Sequence, residues 1–171
     1  MEPEKTFENY PKKIVAASNL LSLAMYAIGA YLMLGFGILA VALYLLLCLY
    51  LELRVLSHCR DCYYYGKACF SGKGKLCSKL LKRGDPKRFS AMKLTMRDLI
   101  PDFSVVIIPA VCGALLLIRS FDWLILGLVI LIVLLGTAGT GMVRGSLACK
   151  HCRQRELGCP ACELFGKKAK T

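Results

Sequence analysis

Four apolar runs, at residues 14–34, 38–53, 103–118 and 123–143, limit what this chain can fold into more than any other feature. Crossing the hydrocarbon core of a bilayer takes about 20 apolar residues in helical form. The first and last runs reach that length unaided, and the middle two reach it by taking in flanking residues. Hydrophobic residues make up 57% of the 171, above the roughly 45–50% of soluble domains. The first run is too long for the core of a cleavable signal peptide, and no small-residue cleavage site precedes the next run. The sequence therefore predicts an all-α integral membrane protein with four transmembrane helices.

The connections predict how the helices are paired. Only residues 35–37 separate the first two runs and only 119–122 the last two, so the spans should form two tight hairpins. The middle segment is rich in lysine and arginine, from Arg60 and Lys67 through Lys82, Arg83, Lys87 and Arg88 to Arg97, against Asp61, Asp85 and Asp98. The tail adds Arg144, Lys150, Arg153, Arg155, Lys167, Lys168 and Lys170. Short loops with this bias stay in the cytoplasm. The expected organisation is a cytoplasmic N-terminal segment (1–13), a transmembrane hairpin (14–56), a basic cysteine-rich cytoplasmic loop with an interfacial helix (57–101), a second hairpin (102–143) and a basic cysteine-rich cytoplasmic tail (144–171). The expected location is the cell membrane, with both termini cytoplasmic.

Each hairpin is followed by the same motif. Arg54 precedes Cys59, Cys62 and Cys69 with the spacing by which Arg144 precedes Cys149, Cys152 and Cys159. Cysteines on the reducing side of a membrane rarely form structural disulfides. The C-x2-C spacing lets two thiolates of one turn approach a single ion, so Cys59, Cys62, Cys69 and Cys77 in the loop and Cys149, Cys152, Cys159 and Cys162 in the tail read as metal ligands. The tail has two C-x2-C pairs and a full tetrahedral set. Cys77 and Cys162 fall outside the repeated register, so each copy recruits its fourth ligand independently or the repeat is a three-thiolate unit. His58 and His151 occupy different offsets within the two copies, which argues against an equivalent ligand role.

Structural zinc is the leading reading, because thiolate ligands at this spacing suit it and the nearby cations offset the charge of a tetrathiolate site. An iron–sulfur cluster is the alternative. It would use the same thiolates, and Cys159-Pro160 fits it, but the dense C-x2-C-x2-C spacing of ferredoxin-type motifs is absent. The remaining readings of the cysteines are thiol redox chemistry or reduced thiols with no metal, and a cytoplasmic-facing metal or redox sensor is the second alternative for function.

The remaining features mostly exclude functions. No histidine lies in the apolar runs, which removes bis-histidine haem. No ionisable group stands near mid-membrane, which weakens coupled transport. Gly29, Ala30, Gly136, Ala138, Gly139 and Gly141 are expected to let helices approach closely, and Cys48 and Cys112 to act as small apolar residues facing other helices. Arg54 and Arg144 are expected to snorkel toward headgroups. Phe89, Met92, Met96, Leu99 and Ile100 have helical spacing and predict an interfacial helix that Pro101 ends, with anionic lipid headgroups beside its cations. The glycines of residues 72–74 lack the phosphate-loop spacing. Tyr63, Tyr64 and Tyr65 could stack on bases but read more simply as interfacial residues, so nucleic acid is disfavoured. No catalytic constellation is visible. The expectation is a membrane-anchored, metal-binding scaffold that docks a cytoplasmic protein partner.

Overall fold

The computed structural model describes residues 6–92 and 95–160. Among these the chain is helical, with one isolated parallel bridge between Phe7 and Cys152 and no strand. Four helices are long and apolar enough to cross a membrane, at Lys12–Leu34, Ile38–Cys59, Ile100–Arg119 and Trp123–His151.

Helix α1 (Lys12–Leu34) starts directly after Pro11, whose carbonyl accepts the first helical hydrogen bonds from Ile14 and Val15. It ends where Phe36 and Gly37 donate back to Met33 and Leu34. Gly37 has φ +99°, a conformation that an L side chain resists, and its carbonyl opens α2 (Ile38–Cys59). Two short helices follow, α3 (Lys73–Leu80) and α4 (Pro86–Ala91); α4 is capped by Asp85, whose carboxylate accepts the Lys87 N–H.

The expected interfacial helix over 89–100 does not form as one piece. Helix α4 stops at Ala91, and α5 (Met96–Arg119) begins beyond it and runs straight through Pro101. Pro101 is the sixth residue of α5 and lies inside the helix, which continues past it without the turn expected there.

Helix α6 (Trp123–Leu134) is capped by Asp122, which accepts the Leu124 N–H at 2.7 Å. Wider π-helical turns continue it over Leu135–Gly139 and Gly141–Ala148, and tight 3-10 turns over Cys149–His151 and Arg153–Arg155 follow. The widening has a local cause. Thr137, Thr140 and Ser146 donate their hydroxyls to the carbonyls of Val133, Leu135 and Met142, and four glycines in this stretch loosen the backbone. Arg54 therefore sits in an α-helix and its counterpart Arg144 in a π-helical one.

The chain divides into two compact units. One comprises Leu20–Glu52 and Arg97–Gly141. Its core joins Met33, Tyr44, Cys48, Leu51 and Val105, with Cys112 packed against them, so Cys48 and Cys112 face other helices as small apolar residues. Gly29 meets the Tyr44 ring, Gly136 meets Val106 and Gly139 meets Leu21, whereas Gly141 faces open space. Beyond this core the helices present leucine, isoleucine and valine outward; Ile38 is 79% exposed and Ile118 81%. Such surface is costly in water and favourable in lipid.

The other unit holds the described residues of Met1–Asn19, Leu53–Met96 and Met142–Thr171. It contains both copies of the cysteine motif and the N-terminal segment that joins them.

Candidate functional site

The first C-x2-C pair of each copy forms the same turn. In the loop, Cys62 N–H donates to the Cys59 carbonyl at 3.3 Å and Tyr65 N–H to the Cys62 carbonyl at 3.1 Å. In the tail, Cys152 N–H donates to Cys149 at 3.4 Å and Arg155 N–H to Cys152 at 3.1 Å. Backbone N–H groups act electrostatically on the second sulfur of each turn, that of Tyr64 on Cys62 and those of Gln154 and Arg155 on Cys152. Amides aimed at a sulfur in this way favour its thiolate form.

The two turns grip one another by exchange. Tyr63 N–H donates to Gln154 Oε1 at 2.8 Å, and Arg153 N–H donates to the Tyr64 hydroxyl oxygen at 3.1 Å. Tyr64 and Gln154 hold the same position in the two copies, 90 residues apart, as do Tyr63 and Arg153. Each copy thus offers the side chain that satisfies the other copy's backbone. Tyr64 is 3% exposed and Gln154 4%, so these bonds are shielded from water. Gln154 also accepts from the Cys62 thiol, with sulfur and oxygen 3.8 Å apart, and donates to the Gly158 carbonyl at 3.2 Å.

The N-terminal segment threads both copies. Phe7 N–H donates to the His151 carbonyl, and the Tyr64 hydroxyl donates to the Phe7 carbonyl at 2.6 Å. Tyr10 N–H donates to Ala68, and the Tyr10 hydroxyl to Ala148 at 2.6 Å. Arg153 pairs with Glu8 at 2.9 Å. Tyr10, Tyr64, Cys69 and Ala148 form the buried core, with Phe7, Cys62 and Cys152 against it.

The candidate ligands are distributed as follows. Cys59 is the last residue of α2, and electrostatic interactions link it to Cys69, Cys62 and Cys77. Cys69 is buried and accepts the Gly74 N–H at 3.3 Å from the first turn of α3. Only glycine fits at position 74, because a Cβ would collide with the carbonyls of Tyr64 and Lys67. Cys77 is completely buried and donates to the Leu56 carbonyl at 3.5 Å. Cys62 lies beside Cys152 and Cys159, so thiols from the two copies are neighbours. Cys149 and Cys159 are half-buried, and Cys162 lies outside the described residues. Among the described residues, no three His, Cys, Asp or Glu side chains stand together as a group that could hold a metal ion.

Burial sets the protonation of these thiols. It pushes Cys62 up to about 12, against the Tyr64 N–H that favours the thiolate, and neighbouring Cys152, Cys69 and Cys159 push it the same way. Burial likewise raises Cys152 and Cys77. A divalent cation would reverse both influences, since its charge outweighs the lost hydration and the mutual repulsion of the sulfurs.

No protein-family model, curated protein or solved structure matches this chain.

Three residues of the site were not singled out as functional in the sequence. Tyr64, expected to be an interfacial side chain like its neighbours, belongs to the core; Gln154 drew no expectation, and Gly74 was considered only as a glycine without phosphate-loop spacing. The signal for the first two was present: they share one offset in the repeat. Tyr63 differs from Tyr64, with the Lys67 ammonium 4.2 Å from its ring centroid and the Arg153 guanidinium 5.6 Å from it. The histidines remain unlike one another; the His58 carbonyl takes the Asp61 N–H, while the His151 ring lies 5.0 Å from Phe7.

Proposed function

We propose that this chain is a membrane-anchored thiolate metal protein, with zinc as its ion, that serves as a scaffold for a cytoplasmic protein partner. Its four spans pair as two hairpins, and the cysteine-rich segments and both termini lie in the cytoplasm, where the lysines and arginines of the loop and tail hold them. Cys59, Cys62, Cys69 and Cys77 from one copy and Cys149, Cys152, Cys159 and Cys162 from the other are the ligands. The metal supplies cross-linking and charge neutralisation, not turnover.

The observation that carries this reading is the pair of equivalent C-x2-C turns locked together by Tyr64 and Gln154. Turns of this kind present sulfur lone pairs in a polar, preorganised setting, as ligation of a soft or borderline cation requires. Zinc is preferred to an iron–sulfur cluster because the spacing follows paired knuckles instead of the dense ferredoxin run.

Purification without air, followed by metal analysis and a visible spectrum, tests it. Zinc bound to a colourless protein is the expected result. Iron with broad absorbance near ~400 nm would replace the scaffold with an electron-transfer protein. Protein with neither metal overturns the ligand assignment and leaves thiol redox chemistry.

A further inference from the structure

Helix α3 buries only one side. Gly74 and Cys77 face inward, the latter bonded to the carbonyl of Leu56 in the last turns of α2. The other side carries Leu76, 50% exposed, and Leu80, 62% exposed, which stand one turn apart and form a continuous apolar pair. Lys75 and Lys79 form the adjoining pair on the same exposed side, and exposed Lys82, Arg83, Lys87 and Arg88 follow within eight residues of Leu80. Asp85 is the only acidic residue between 73 and 92, and its carboxylate is engaged by the Lys87 N–H. Leucines flanked by cations on one helix face match a surface that is apolar below and negatively charged above. Through Cys77 and Leu56, α3 is held at the end of a helix whose preceding residues are apolar enough to lie in lipid.

We propose that the exposed face of α3, with the basic segment that follows it, is a docking surface for anionic lipid headgroups. Leu76 and Leu80 enter the headgroup boundary, while Lys75, Lys79, Lys82 and Arg83 meet lipid phosphates. The inference rests on reading α2 as a membrane span.

The test uses the full chain in bilayer discs with Trp123, the only tryptophan, replaced (Trp123→Phe). Leu80→Trp reports on α3 and Leu45→Trp on α2. In discs of bromine-labelled phosphatidylcholine with phosphatidylglycerol, emission of Leu80→Trp should be quenched. The quenching should weaken in discs without phosphatidylglycerol, and after Lys75→Glu, Lys79→Glu and Lys82→Glu together. If Leu45→Trp is quenched while Leu80→Trp stays bright and open to aqueous acrylamide, this face belongs to a protein partner and the proposal falls. Quenching that ignores both phosphatidylglycerol and the lysine changes also overturns it. If Leu45→Trp itself is not quenched, the reading of α2 as a span is what has failed.

Discussion

The Tyr44 hydroxyl donates to the Val105 carbonyl at 3.0 Å, and Val105 stands four residues before Pro109. Pro109 has no N–H, so it cannot return the helical bond that this carbonyl would otherwise receive. A side chain on α2 therefore completes the backbone of α5. Tyr44 and Pro109 are both buried among apolar residues, where water is absent as a substitute partner.

Tyr44→Phe should destabilise the folded protein by about 0.6–2 kcal/mol, measured as unfolding in detergent micelles. Pro109→Ala restores the intrahelical donor, so Tyr44→Phe should cost less in that background. Equal costs in both backgrounds would show that the hydroxyl does not act through Val105.

Exchange between the two cysteine turns predicts coupled losses. Tyr64→Phe strips an acceptor from Arg153 N–H, and Gln154→Ala strips one from Tyr63 N–H. Each should cost about 1–3 kcal/mol, because it leaves a part-buried amide without its partner. The double variant should lose less than the sum, since either change alone loosens the same contact. Thermal unfolding of the single and double variants is the measurement.

Gly74→Ala forces a methyl group against the Tyr64 and Lys67 carbonyls and should cost about 1–3 kcal/mol through overpacking. The shift also pulls the Gly74 N–H away from Cys69. Faster alkylation of Cys69 by a thiol reagent, read by peptide mass, is the specific outcome. An unchanged rate at Cys69 would place the clash elsewhere.

The metal-free protein should weaken with alkali. Cys62 is raised from an ordinary value of 9.0 to about 12, and Cys152 and Cys77 are raised as well, all chiefly by burial. The folded state then holds protons that the unfolded chain releases, so this contribution is intact below about pH 9 and is lost as pH climbs through about 12. Metal-bound protein should respond oppositely, releasing its ion in acid as protons compete for the thiolates. Unfolding curves for both forms across this range will distinguish them.

Ligand substitutions should grade by register. Cys59→Ser and Cys149→Ser should each lower metal content, and Cys162→Ser should do so only where the tail supplies its own fourth ligand. Retention of full stoichiometry in all three would remove these cysteines from the metal site.

Much of the fold could be read along the chain. The four spans follow from runs such as 123–143, because transfer of side chains into lipid is nearly additive and needs no knowledge of neighbours. The turn at Gly37 and the cap at Asp122 are also local properties of one or two residues. Pro101 shows where local reading fails: its missing N–H and its ring argue for a break, yet α5 has already begun at Met96 and continues past it, which no adjacent residue reveals.

Composition and spacing alone determined that this is a helical chain able to span a membrane four times, and that it carries one thiol motif twice. Tertiary structure decided that the two copies belong to a single unit, that Cys62 neighbours Cys152 and Cys159, and that Tyr64 and Gln154 trade backbone bonds. Hydrophobic transfer sums along a sequence, whereas a hydrogen bond between residues about ninety positions apart exists only when folding brings a particular amide within 3 Å or so of a particular oxygen.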